Sequence, residues 1–174
     1  MAFRLRWLAV LLAALVMGGC GMVGSRSESD HPRDEPENPL TDEQTMAQVV
    51  DPAKDVVRAL PQLDDVTGGF SYGSCNDQGD PPFQGRVEVA FKLPADPDAL
   101  FGQIRDTMLK QGWSARAPEG QKVHGRGLNR NGVTATVGPR AADPGYGSLK
   151  LYGECRNVGE HLGEDAVNLT DQLR

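Results

Sequence analysis

The sequence is poor in the residues and motifs that would identify several common classes of protein. Only three cysteines occur among 174 residues, too few for a small domain stabilised mainly by disulfides. The 18 Lys and Arg residues are outnumbered by 24 Asp and Glu, which gives a net charge of −6. Because binding to a phosphate backbone needs a basic surface, we expect no nucleic acid partner. The motifs His-Glu-x-x-His and Ser-x-x-Lys are absent as well, so the sequence offers no zinc-protease or serine–lysine signature.

Long hydrophobic runs are also scarce, and the one that occurs lies at the N-terminus. Arg4 and Arg6 precede an uninterrupted apolar run over residues 7–17. As a helix this run would span about 16 Å, roughly half the hydrocarbon thickness of a bilayer. It is therefore too short for a transmembrane anchor and is typical of the hydrophobic region of a signal peptide, which we assign to residues 1–19.

The end of this segment resembles the bacterial lipobox, in which small residues precede a cysteine that becomes lipidated. Gly18 and Gly19 stand directly before Cys20. The resemblance implies cleavage between Gly19 and Cys20, a diacylglyceryl group on the Cys20 thiol with palmitate-type acyl chains, and anchoring at the extracytoplasmic face of the cell membrane. It leaves open whether the new amine is acylated too. The alternative is an ordinary secretory signal that is cleaved nearby.

The mature chain would be acidic and would begin with a tether. Loss of Arg4 and Arg6 lowers the net charge from −6 to −8, so anionic headgroups repel the protein while the lipid holds it. Residues 21–40 are polar and proline-rich, and they can bury too little apolar surface to offset the entropy of ordering. We therefore predict a disordered tether over residues 20–40, a folded domain over residues 41–158 and a polar tail over residues 159–174.

Periodicity in the folded domain predicts two helices and about five strands. A capping box at residues 41–44 begins the first helix, whose apolar stripe runs to Leu60 and crosses Pro52, either with a kink or as two segments. The second helix starts at Asp96-Pro97-Asp98 and stops at Gly112. Strands are expected at residues 67–75, 86–93, 113–117 or 123–129, 133–137 and 149–155. Short connections make the sheet antiparallel, so the fold class is an α+β two-layer sandwich with both helices on one face.

Two cysteines remain once Cys20 is lipidated, and both lie at strand ends. Export and the even number make a disulfide between Cys75 and Cys155 the natural interpretation. A reactive thiol or a metal pair is the alternative, although no Cys-x-x-Cys spacing or neighbouring histidine supports it. The bridge would join the first and last strands of the sheet, which should then lie close together.

The order of these features resembles the small mycobacterial lipoproteins of the LppA and LppV kind. The features that carry the resemblance are the lipobox, the tether, the capped helix that ends at Gly112, the loop Cys75-Asn76-Asp77 and the closing Gly153-Glu154-Cys155-Arg156. The resemblance implies an actinobacterial cell-envelope lipoprotein of this fold and carries no established activity.

A search for catalytic or ligand-binding residues finds only weak candidates. The histidines are His31 in the tether, His124 on the wet face of a predicted strand and His161 in the tail. Asp64-Asp65 is interpreted as a solvated turn, and Trp113 as core. Asn76, Asp77 and Asp80 supply oxygens without the spacing of a calcium loop, and Arg126, Arg130 and Arg140 could meet an anionic ligand on one hairpin. No cofactor or metal is expected.

Two functions are compatible with these observations. The first is a non-catalytic module of the cell envelope that binds a protein, lipid or glycan through the uncovered face of its sheet. The second is an envelope hydrolase or transferase whose site is built from loops and carries no motif. The missing motifs favour the binding module. Clustered ionisable groups in a pocket would favour the enzyme.

Overall fold

The computed structural model describes residues 36–76, 78–115 and 127–174. The elements in chain order are α1 (Asp42–Arg58), β1 (Thr67–Ser74), β2 (Phe83–Lys92), α2 (Pro97–Lys110), β3 (Leu128–Arg130), β4 (Val133–Pro139), β5 (Tyr146–Tyr152), β6 (Val167–Asn168) and a 3-10 turn (Thr170–Gln172). The strands form one sheet in the order β3-β4-β5-β2-β1-β6, and every neighbouring pair is antiparallel. This confirms the α+β sandwich, with six strands where about five were expected.

Alternation along the central strands decides which side of the sheet the helices cover. Val87, Val89 and Phe91 of β2 are buried, as are Leu149 and Leu151 of β5. These side chains share one face because residues two apart on a strand point the same way. The buried residues of both helices pack against them in one core, and they include Val49, Ala53, Val56, Leu100, Ile104 and Met108. Neither helix among the described residues is long and apolar enough to cross a membrane.

Both helices begin at the caps that their sequences predict. Thr41 accepts a hydrogen bond from the amide of Gln44, and the Gln44 side chain accepts one from the Thr41 amide. Helix α1 then continues through the buried Pro52 as a single element, so the alternative of two separate helical segments is wrong. Asp96 caps α2 through the amide of Ala99. Gly112, which has a φ of 88°, ends the helical region. The amide of the buried Trp113 then donates a hydrogen bond to the carbonyl of Met108.

The disulfide between Cys75 and Cys155 is present, and its Cα atoms lie 6.0 Å apart. The strands that these cysteines follow are not neighbours, contrary to the expected adjacency of first and last strands. Strand β2 lies between β1 and β5 in the sheet, and β6 is the last strand of the chain. The disulfide lies beside the first residue of β2, where the Cys75 amide donates to the carbonyl of Pro82 at 3.0 Å. The bridge therefore closes one end of the three central strands.

The C-terminal segment is part of the fold, which the expected boundary at residue 158 did not foresee. Leu169 and Leu173 are 1% and 0% exposed. The Leu169 amide donates to the carbonyl of Gly68, and the Thr170 hydroxyl accepts from the Gly68 amide. A Cβ at Gly68 would lie 2.5 Å from Leu173 Cδ1, so a larger residue there would require the Leu173 side chain to shift. This segment, expected to be a polar tail, forms the short strand β6 followed by the 3-10 turn.

Part of the predicted third strand lies outside the described residues. Strand β3 covers Leu128–Arg130, and Ser114 forms an isolated bridge with Asn129. Residues 116–126 are not described, so the predictions for His124 and Arg126 are not tested.

Leu169→Ala should destabilise the protein by about 3 kcal/mol, because a fully buried leucine loses its packing and leaves a cavity. Leu162→Ala is the matched control from the same segment, since Leu162 is 75% exposed and should change the free energy of unfolding by less than about 0.5 kcal/mol. Urea unfolding followed by circular dichroism measures both variants. Similar, small changes in the two would show that the C-terminal segment does not pack as described.

Candidate functional site

The face of the sheet opposite the helices is polar and regularly arranged. Opposite residues on paired strands lie on the same face, so the strand register defines rows of side chains across this surface. We call the following three rows the open face: Ser71, Arg86, Tyr152 and Thr134; Gly69, Glu88, Lys150 and Thr136; Thr67, Ala90, Ser148 and Gly138. Neighbouring rows are about 7 Å apart and neighbouring strands about 5 Å apart. The open face thus offers hydroxyls, one phenol and charged groups at fixed spacings.

A concavity of about 640 Å³ lies on the open face. Its floor contains Gly69, Ser71 and Ala90, which have small side chains or none. Tyr152 stands at one side of this floor, and the segment 166–168, which includes β6, stands at the other. The C-terminal segment that was expected to be a polar tail therefore supplies one wall of the concavity.

The charges in the concavity are mostly positive. Arg140 follows β4, yet its Nε lies 3.1 Å from Oε1 of Glu88 on β2. Because β5 separates these strands, the Arg140 side chain crosses the open face. Lys150 Nζ lies 3.9 Å from the other carboxylate oxygen of Glu88. Arg86 donates to the carbonyl of Ser74 at 3.2 Å. Two cations, Arg140 and Lys150, therefore share the carboxylate of Glu88, and Arg86 is a third cation that lines the same concavity.

Of the three hairpin arginines that could meet an anionic ligand, Arg130 and Arg140 are described, and they point to different sides of the sheet. Arg130 lies over the Trp113 ring at 5.1 Å and donates to the carbonyl of Gln111 on the helix side. Its guanidinium is also 3.7 Å from Asp55 of α1. Arg140 lies on the open face with Glu88, so the hairpin does not bring these two arginines together. Sequence reasoning missed Arg86 and Lys150 because their proximity to Arg140 depends on the order of strands in the sheet.

A second cavity lies on the helix side. This groove of about 900 Å³ runs between α2 and β4, and its lining includes Phe101, Met108, Leu128, Val137 and Pro139. Its side chains are mainly apolar, and Asp98 and Arg105 are the charged residues that line it within the described part of the chain. The described residues do not show what fills the groove.

A histidine cluster that the sequence did not predict connects the C-terminal segment to α1 and β1. The His161 side chain is only 4% exposed. Its ring stacks on Tyr72 with centroids 3.5 Å apart, and its edge meets Phe83 at 5.4 Å. Nε2 lies 3.1 Å from Asp42 Oδ1 and 3.0 Å from Asn157 Oδ1. Since both oxygens are acceptors, Nε2 carries a hydrogen and donates it.

Carboxylates lie on both sides of the His161 ring. Nδ1 is 3.0 Å from Glu164 Oε2, with a geometry too bent for a full hydrogen bond. Asn157 donates to Asp42 at 2.8 Å, which fixes its amide orientation and leaves its oxygen for His161 and for the Gly159 amide. Burial, together with the negative charges of Asp42 and Glu164, raises the pKa of the Tyr72 hydroxyl to about 12.

This cluster holds segments together and does not form a pocket. The His161 ring is enclosed by Tyr72, Phe83 and its hydrogen-bond partners. The cluster also lies outside both the groove and the concavity. Clustered ionisable groups are thus present, but they are not arranged around a space for a substrate.

One hydrolase-like spacing occurs at Gly69-Phe70-Ser71-Tyr72-Gly73, which fits the pattern Gly-x-Ser-x-Gly. In hydrolases this pattern forms a sharp turn between a strand and a helix, with the serine exposed at the turn. Here all five residues lie within β1 and pair with β2. Ser71 points to the open face, whereas Tyr72 points to the opposite side and contacts His161. The sheet therefore separates this serine from the buried histidine.

The remaining candidates have structural partners. Ser74 Oγ donates within the loop to Asn76 and to the carbonyl of Asp80, and the described residues contain no group of three or more metal-ligating side chains. Asp64 and Asp65 are exposed in a turn, as predicted, and Asp65 accepts a hydrogen bond from Tyr146. That bond raises the pKa of the Tyr146 hydroxyl. Residues 1–35 and Asp77 are not described, so Gly19, Cys20, His31 and residues 20–35 of the tether lie outside the described residues. Residues 36–40 of the predicted tether are described, and the Leu40 amide donates to the carbonyl of Arg156 at 2.8 Å, so this end of the tether is bonded to the folded domain.

The fold and the lipobox-type N-terminus define a small lipoprotein with an α+β domain. The family model described as "Putative lipoprotein LppJ" matches residues 41–172, and the chain belongs to this LppJ family. The match extends through the C-terminal segment that packs against β1.

Individual relatives give the same result. Proteins named "Putative lipoprotein LppJ" from Mycobacterium tuberculosis strains CDC 1551 / Oshkosh and H37Rv are 48% identical over 176 residues, covering 98% of this chain and 93% of theirs. The protein of that name from Mycobacterium bovis is 47% identical over the same length. No solved structure matches the chain. The resemblance to small mycobacterial lipoproteins agrees with this family, whose name indicates a lipoprotein.

The partly buried Tyr72 should make stability depend on pH in the alkaline range. The folded protein holds the Tyr72 proton more tightly than the unfolded chain, whose tyrosine pKa is about 10. The free energy of unfolding should therefore fall as the pH rises from 10 towards 12. Tyr72→Phe should reduce this fall in urea unfolding measured between about pH 9 and pH 11.5. Tyr152→Phe, on the open face, is the control and should follow the wild type. Parallel profiles for all three proteins would contradict the role given to Tyr72.

Proposed function

We propose that this protein is a non-catalytic binding module, anchored by lipid at the extracytoplasmic face of the cell membrane, whose open face contacts a component of the envelope. The observation that carries the proposal is the open face itself. One side of the sheet packs against the helices to form the core, whereas the other presents polar and charged side chains around a concavity of about 640 Å³. A few convergent polar groups in a concave surface are typical of a binding site.

The anchor part of the proposal is supported by the N-terminal sequence. Cys20 follows a short apolar run and two glycines, and the family is named for lipoproteins. Two acyl chains give stable membrane attachment, whereas one gives only marginal binding. The tether that the sequence predicts, taken over residues 21–35, would have a root-mean-square span of roughly 20 Å, which would let the domain reach an envelope partner.

The non-catalytic part is supported by the separation of reactive groups. His161 is enclosed on the helix side of the sheet, and Ser71 lies on the open face. General base catalysis requires the base to be within hydrogen-bond reach of its nucleophile, directly or through one water. The buried position of His161 between Asp42 and Asn157 gives it a structural use.

Cys20→Ala should prevent lipidation and release the protein from the membrane fraction, because the anchor is the only attachment that the proposal requires. Mass spectrometry of the wild-type N-terminal peptide should show a diacylglyceryl-modified Cys20 that begins directly after Gly19. Membrane fractionation and detergent phase partitioning of wild type and variant provide the second measurement. A mature wild-type protein that starts at another residue and carries no lipid would rule out the anchor.

Site-specific cross-linking in cells tests whether the open face makes contact. A photoreactive phenylalanine derivative at Thr136, which is exposed in the second row, should give a defined adduct to an envelope component. The same residue at Asp106, exposed on α2, is the matched control and should give none. Adducts from Asp106 alone, or equal adducts from both positions, would place the contact elsewhere and contradict the proposed function.

A further inference from the structure

We propose that the concavity on the open face binds an acidic glycan, a sugar chain that carries carboxylates, with Lys150 and Arg86 facing the carboxylate and Tyr152 against a sugar ring. This inference rests on the proposed function and names the chemical class of its ligand. The charge, the shape and the edges of the open face support this inference.

The charges that line the concavity are complementary to an anionic ligand. Glu88 is the single carboxylate among the charged residues that line the concavity, and it faces both Arg140 and Lys150. Arg86 has no carboxylate partner among the residues that the structure describes, and its known contacts are the Ser74 carbonyl and the Gln84 side chain. The concavity therefore carries about two uncompensated positive charges within an acidic protein. One carboxylate of a ligand would compensate one of them.

The shape and chemistry of the floor suit a sugar. Because Gly69, Ser71 and Ala90 have small side chains or none, the backbone of β1 and β2 forms the bottom of the concavity. The longer side chains of Arg86, Lys150 and Tyr152 line it. Hydroxyls of Thr67, Ser71 and Thr170 border the same space. Sugars present many hydroxyls and one flat apolar ring face, so this combination of small hydroxyl side chains and a single aromatic ring suits them. A floor without apolar pockets offers little to an acyl chain or to hydrophobic peptide anchors.

The open face suits a glycan better than other anionic partners. A peptide that adds a strand needs a free sheet edge of useful length. The edge strands β3 and β6 have only three and two residues, and residues 136–139 of β4 and 71–74 of β1, which extend past them, form two further short stretches of edge. An anionic membrane surface attracts each basic residue by about 1 kcal/mol, and the acidic remainder of the chain opposes that attraction. A carboxylate-bearing sugar needs neither a sheet edge nor a large basic surface.

Binding to a defined acidic sugar tests the inference. The full-length protein is purified from membranes in a non-ionic detergent and titrated with trigalacturonate as the acidic probe and maltotriose as the neutral one. We expect trigalacturonate to bind, maltotriose to bind at least about tenfold more weakly, and the affinity for trigalacturonate to fall as salt is raised.

Matched charge reversals locate the binding. Lys150→Glu should weaken trigalacturonate binding by at least about tenfold, because its carboxylate replaces a cation in the concavity. Lys92→Glu makes the same change on the same side of the sheet, where Lys92 pairs with Tyr146 outside the concavity, and should weaken binding less than about twofold. Thermal unfolding should be similar for both variants because neither lysine is buried.

Each other outcome would overturn the inference. Absence of trigalacturonate binding, equal weakening by the two variants, or equal binding of maltotriose would each do so. Binding of inorganic phosphate or of phosphatidylglycerol vesicles in place of trigalacturonate, lost in Lys150→Glu, would assign the face to phosphate groups instead. A cross-linked protein adduct at Thr136 without glycan binding would leave the proposed function intact and reject the acidic glycan alone.

Discussion

The alternation of side chains along β2 is the constraint on which the rest of the structure depends. Val87, Val89 and Phe91 point into the core, and they fix the side of the sheet that both helices must cover. Arg86, Glu88 and Ala90 then necessarily point the other way. A shift of one residue in this register would exchange the two sets and bury charge in the core. The same ten residues of β2 therefore determine both the packing of the domain and the composition of the open face.

Local signals account for the parts of the fold that the sequence predicts well. The capping box at Thr41, the Asp96-Pro97 helix start and the positive φ at Gly112 all depend on residues within one or two helical turns. The alternation in β2, β4 and β5 is equally local. The pairing of Cys75 with Cys155 followed from cellular compartment and an even number of thiols, and its partners lie 80 residues apart.

The features that escaped prediction arise from contacts between distant segments. His161 is 119 residues from Asp42, and its neighbours in sequence, Glu160 and Leu162, are exposed and give no periodic pattern. Leu169 and Leu173 are apolar residues spaced as on a helix, but strand pairing with β1 and the 3-10 turn bury them instead. The contact of Arg140 with Glu88 spans three strands and requires the order β4-β5-β2, which the chain order alone does not give.

The two polar clusters of the molecule differ in what holds them. In the histidine cluster, stacking on Tyr72 and hydrogen bonds to Asp42 and Asn157 engage the buried ring within the protein. On the open face, the groups contact one another only partly, and the side chains of Arg140, Glu88 and Lys150 are all about 40% exposed. Buried polar groups need such satisfaction for the fold to be stable, whereas exposed charges do not.

Stability alone does not explain the charges on the open face. Exposed ion pairs contribute between about 0 and 1 kcal/mol, so the contacts of Glu88 with Arg140 and Lys150 add little to the free energy of unfolding. Arg86 adds a third cation nearby, and like charges in proximity repel one another. A surface shaped only by stability would gain more from balanced charges than from an excess of one sign. The excess is a modest electrostatic cost in the free protein, and an anionic ligand would convert it into a favourable interaction.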